Sequence, residues 1–94
     1  MKSSVKFKLN TIKSVVIEII NSQNYDEIDL SELDYIVSTL DYLILGDIPC
    51  EVSVIKSVME SIIVTSIYQN NPKLLKVTGL LTDLLESLKD DTKI

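Results

Sequence analysis

The sequence predicts an all-α fold, an antiparallel up-and-down four-helix bundle, and three observations carry that reading. Apolar residues recur at helical spacing in four separate stripes. Intervals of about eight, three and two residues between the stripes leave room only for neighbouring antiparallel helices. Hydrophobic residues make up 46% of the chain and the mean hydropathy is +0.26, enough apolar surface to offset ordering entropy and to exclude disorder by composition. Residues 1–94 are expected to form a single helical-bundle domain. Size scaling gives it a folded surface of about 5,500 Å² against about 15,000 Å² unfolded, so that roughly 64% is buried.

Val5, Leu9, Ile12, Val16, Ile19 and Ile20 follow the spacing of one helix face, with Ser3 or Ser4 as N-cap, and predict a helix over about 4–21. Val5, Phe7 and Leu9 also alternate with Lys6 and Lys8 as a strand would, but the alternation is too short to outweigh the longer helical pattern. The polar segment from Asn21 to Asp29 reads as a loop anchored by Tyr25 and Ile28. Leu30, Leu33, Val37, Leu40 and Ile44, widened by Ile36 and Leu43, predict a second helix over about 30–45. Asp29 or Ser31 caps it, Glu32 and Asp34 suit its first turn, and Gly46 sits where the chain leaves the helix.

Pro49 fits a first-turn position of a third helix over about 49–69, whose stripe is Val52, Ile55, Val58, Met59, Ile62, Ile63 and Ile67. This segment is crowded with Val, Ile, Ser and Thr, which lose rotamers or compete for backbone hydrogen bonds, so packing must hold it together. Asn71 as N-cap and Pro72 at the first helical position start a fourth helix over about 72–89. Leu74, Val77, Leu81, Leu84 and Leu88 form its stripe, widened by Leu75, Leu80 and Leu85, and Asp90–Ile94 fray. Gly79 costs this helix about 1 kcal/mol relative to Ala. It permits a close crossing or a bend, or is simply tolerated.

Nine lysines against fourteen carboxylates give a net charge of -5, which repels nucleic acid, and the absence of Arg removes the fork that clamps phosphate or reads guanine. The charge is uneven. Residues 1–22 hold Lys2, Lys6, Lys8 and Lys13 against Glu18, whereas residues 23–60 hold nine carboxylates against Lys56. An internal match, the basic segment lying beside the acidic middle, is the favoured arrangement. The lysines interrupt any secretory h-region, and the longest uncharged run, Ser61–Pro72, is too short to span a bilayer. Cys50 has no intrachain partner and reads as a small hydrophobe in a reducing, cytoplasmic compartment. A chain without Ala but rich in Ile, Lys, Asn and Ser also suggests an AT-rich coding sequence.

Catalytic chemistry is poorly supplied. With no His, Ser nucleophiles lack their usual base, and the acids Asp26, Glu27, Asp29, Glu32 and Asp34 match neither a calcium loop nor a di-iron bundle. Two glycines cannot make a phosphate loop. No enzyme activity, cofactor or metal is expected, and the acids read as a solvated loop and helix start. What remains is binding by surface. The first helix is basic and amphipathic, so it either lies on a membrane or forms one wall of the bundle, and the bundle wall is preferred.

Ile17, Tyr35, Tyr42, Leu45, Val54 and Val64 lie off the main stripes and are the candidates for partner binding. Tyr35 and Tyr42, seven residues apart, share a helix face, where they either shield the core edge or anchor a partner.

The segment Leu40-Asp41-Tyr42-Leu43-Ile44-Leu45-Gly46, the helix around Val54, Ile55, Val58, Ile62 and Ile63, the break Asn70-Asn71-Pro72 and the Leu-rich last helix together resemble the cytoplasmic immunity proteins of pediocin-like bacteriocin producers. The resemblance implies a four-helix bundle from a low-GC bacterium that acts without catalysis on a protein partner; it also leads one to expect a more basic chain. No functional residue is carried over from it. The alternatives are a helical inhibitor, adaptor or counter-defence protein from a phage or virus, and a structural subunit that closes a homodimer or larger ring.

Overall fold

Helices form along all four apolar stripes. A computed structural model describes residues 3–22, 26–65 and 68–91, with α1 at Ser3–Ser22, α2 at Glu27–Leu45, α3 at Val52–Ile63 and α4 at Pro72–Asp91. A 3-10 turn, Tyr68–Asn70, precedes α4. Helix α1 packs on α2 and α4, and α3 on α2 and α4, so neighbours close a four-membered cycle with one core at its centre. Contacts between neighbours, such as Lys8 with Ser87, are consistent with antiparallel pairs.

The core is built from the predicted stripes. Leu9, Ile12 and Ile19 of α1, Leu33, Ile36, Leu40 and Leu43 of α2, Ile55 and Ile62 of α3, and Leu74, Leu81 and Leu84 of α4 are fully buried. Each such side chain contributes about 1.5–3 kcal/mol by leaving water. The accessible surface is 5771 Å², close to the size-scaling value. The buried Val5, Leu9, Ile12 and Val16 place the apolar face of α1 in this core. No helix among the described residues is long and apolar enough to cross a membrane.

The helix boundaries depart from expectation by more than one residue in α2, α3 and α4. Helix α2 begins three residues early, after Asp26, whose extended backbone starts the helix without a side-chain cap. Asp29 therefore falls on the seam with Leu33, Ile36 and Leu40 and is buried, while Ile28 turns outward, 78% exposed, instead of anchoring the loop. Tyr25 lies outside the described residues.

Helix α3 is much shorter than 49–69. At its start, Ile48 and Cys50 pack against the core from the connection, which holds Pro49–Glu51 out of the helix. At its end, the β-branched run Ile62–Thr65 disfavours further turns, and the Thr65 hydroxyl donates to the Ile62 carbonyl at 2.7 Å. The expected stripe residue Ile67 lies outside the described residues. Two other expected stripe residues, Ile63 and Leu75, are 51% and 46% exposed. Each follows a core residue, Ile62 or Leu74, and a step of about 100° carries it off the buried face. Helix α4 continues two residues past Lys89, to Asp91.

The caps at Gly46 and Asn71 follow the expected chemistry. Gly46 adopts φ 85°, its N–H donates to the Leu43 carbonyl, and the Asp47 N–H donates to the Tyr42 carbonyl at 2.9 Å, the pairing of a Schellman motif. The Asn71 side chain accepts the N–H groups of Lys73 and Leu74 at 3.0 and 3.3 Å. Lys13 pairs with Asp41 across α1 and α2, which gives the uneven charge its internal match at one point. Both side chains are partly exposed, and the pair contributes at most about 1 kcal/mol.

The two glycines predict opposite outcomes. A Cβ at Gly79 meets nothing within 4 Å, so no helix crosses closely there, and Gly79→Ala should raise stability by about 1 kcal/mol. A Cβ at Gly46 also meets open space, but its left-handed backbone disfavours any side chain, and Gly46→Ala should lower stability by about 1–2 kcal/mol. Urea midpoints at unchanged slope read both. Asn71→Ala, by the same measurement, should lose about 1 kcal/mol.

Candidate functional site: a tyrosine-walled groove

Tyr35 and Tyr42 stand two turns apart on the flank of α2 that faces α3. They are 58% and 50% exposed, so their rings cover the core edge only in part. With Thr39, Ile48, Val54, Ser57 and Val58 they line an open groove of about 330 Å³ between α2 and α3. Local chemistry fixes these walls. The Thr39 hydroxyl donates to the Tyr35 carbonyl at 2.9 Å, and the Ser57 hydroxyl to the Ser53 carbonyl at 3.1 Å. Ile48 is held at one end because its N–H, like that of Asp47, donates to the Tyr42 carbonyl.

Of the candidate residues, the groove gathers Tyr35, Tyr42 and Val54. Leu45, at the end of α2, and Val64, just past α3, are 74% and 73% exposed but do not line it. Ile17 sits on α1, which packs on α2 and α4, and also lies apart.

Sequence reasoning missed Thr39, Ile48 and Ser57 as lining residues. Thr39 was legible in principle, since it stands between the two tyrosines at helical spacing; Ile48 depends on the path of the connection and was not. Phe7 was also passed over. It is 73% exposed and, with Lys8, Thr11, Leu80 and Asp83, lines a smaller hollow of about 130 Å³ between α1 and α4. Its position outside the stripe was the available signal.

The groove's lining carries no ionised side chain, and its Thr and Ser hydroxyls already donate to backbone carbonyls. It therefore offers apolar surface and two phenol groups. Among the described residues, no group of three or more His, Cys, Asp or Glu side chains could hold a metal ion. The comparisons add no relative: no family model, curated protein or solved structure gives a significant match.

Cys50 lies beside this region, half-buried, and burial pushes its thiol above the ordinary value of 9.0. The unfolded chain releases this proton first, so the thiol's contribution to stability is complete below the unfolded pKa and falls as pH rises through it. Urea midpoints should therefore drop more between pH 8 and about 10 in the wild type than in Cys50→Ala. Parallel pH profiles would refute the effect.

Proposed function

We propose that this chain is a small non-catalytic protein that acts by binding another protein through the α2–α3 groove. The observation that supports it is the pair of half-exposed tyrosines around an open, mainly apolar hollow. Tyrosine brings large contact area at low entropic cost and is enriched where proteins meet. The lone Cys50 thiol favours a reducing, cytoplasmic setting.

The cellular role we propose is bacteriocin immunity. Its support is the resemblance in helix layout described above, from Leu40–Gly46 through Asn70-Asn71-Pro72 to the Leu-rich last helix. An inhibitor that occludes a larger partner would use the same groove and differs in the partner.

Expression in a sensitive strain should raise survival under a cognate bacteriocin. The double variant Tyr35→Ser/Tyr42→Ser should abolish that protection while lowering stability by about 1.5–3 kcal/mol, since each ring is about half buried, with a cooperative thermal melt confirming that it folds. Unchanged killing across a panel of bacteriocins removes the immunity role. Full protection by the double variant removes the groove as its site.

A further inference from the structure

We propose that the groove's partner is a cationic amphipathic helix: an apolar side chain enters between Tyr35 and Tyr42, and flanking Lys or Arg side chains meet Glu32, Asp47 and Glu51. This rests on the protein-binding reading of the groove and names the chemistry of the partner.

The charge around the groove carries the argument. Within residues 26–60 nine carboxylates face a single lysine, Lys56. Three of those acids flank the groove in sequence and along its helices. Glu32 stands one turn before Tyr35 on α2, Asp47 precedes Ile48, and Glu51 caps α3 one turn before Val54. None of the three forms an ion pair among the described residues, whereas Asp41, on the other flank of α2, is taken by Lys13. Lys56, which precedes the lining residue Ser57 on α3, opposes these three acids, so the apolar floor is flanked by net negative charge and selects a partner that is apolar on one side and basic beside it.

The groove's shape selects a helix. Its walls are two helices, and the two tyrosines are separated by about 10 Å along α2, which matches residues i and i+7 on a docking helix. The described residues contain no strand and so offer no sheet edge on which an extended peptide could pair.

A second copy of this chain fits poorly. Symmetric pairing through the groove would bring the same carboxylates together. Head-to-tail pairing would call on the lysines of α1, but Lys13 is paired with Asp41 and Lys8 donates to Ser87 at 2.9 Å, which leaves Lys6 alone among the described α1 lysines to meet three carboxylates.

The test uses the full chain and labelled 18-residue peptides made of Leu and Lys in a helical amphipathic pattern. A Leu/Glu counterpart and a scrambled Leu/Lys peptide of equal charge serve as comparisons. Fluorescence anisotropy at 0.15 M salt should show the amphipathic Leu/Lys peptide binding at least tenfold tighter than either. Glu32→Gln/Glu51→Gln and Tyr35→Ser/Tyr42→Ser should each weaken it at least fivefold, with thermal melts confirming that both variants fold. Amide shifts should cluster at Tyr35–Tyr42, Val54 and Val58.

Equal binding of the Leu/Lys and Leu/Glu peptides at the groove overturns the cationic partner but leaves the groove itself standing. Binding indifferent to the tyrosine variant, with shifts elsewhere, overturns both. A dimer in light scattering that the tyrosine variant dissociates assigns the groove to a second copy and overturns the proposal.

Discussion

Everything in this fold depends on one seam of Leu and Ile drawn from all four helices. No single helix is strong without it. Helix α3 has twelve residues, at the lower edge of what persists alone in water, and its Val, Ile and Ser content weakens it further. Ser57 and Ser61 donate side-chain hydrogen bonds to carbonyls four residues back, which competes with water but adds little to helix strength. The burial of Ile55 and Ile62 against the other helices is what keeps α3 in register, and α3 in turn supplies one wall of the groove.

Polar groups near the core are handled locally. Thr39, Thr65 and Thr78 are buried, and each hydroxyl donates to a carbonyl three or four residues earlier in its own segment. No buried side-chain polar atom among the described residues lacks a partner. Packing between helices is thereby left to apolar surface, and long-range polar links such as Lys13–Asp41 and Lys8–Ser87 lie at the edges, where they bias alignment. The result is a core indifferent to charge and a surface on which charge is sorted by helix.

Most of the fold was legible because it rests on periodicity, and the buried Leu and Ile follow the stripes. What the stripes could not show was the path of the chain between them. Asp29 reads as a cap or first-turn acid from its type, yet its position on the Leu33–Ile36–Leu40 seam buries it. Pro49 reads as a helix start, yet Ile48 and Cys50 gain more by lying against the core. The groove was half legible. Tyr35 and Tyr42 were visible as off-stripe aromatics, while Ile48 and Ser57 join them only through the packing of α3 beside α2.

The hydrogen bond between Lys8 and Ser87 joins residues 79 apart in sequence and lies where α1 meets α4. The bundle is therefore a ring in space but a line along the chain: three of its four helix contacts are bridged by a connecting segment, and the α1–α4 contact is not. Loop-closure entropy burdens that seam more than the others. An opening there would break no connection between consecutive helices, and it would fall on the side of the ring opposite the α2–α3 groove, leaving the tyrosines in place.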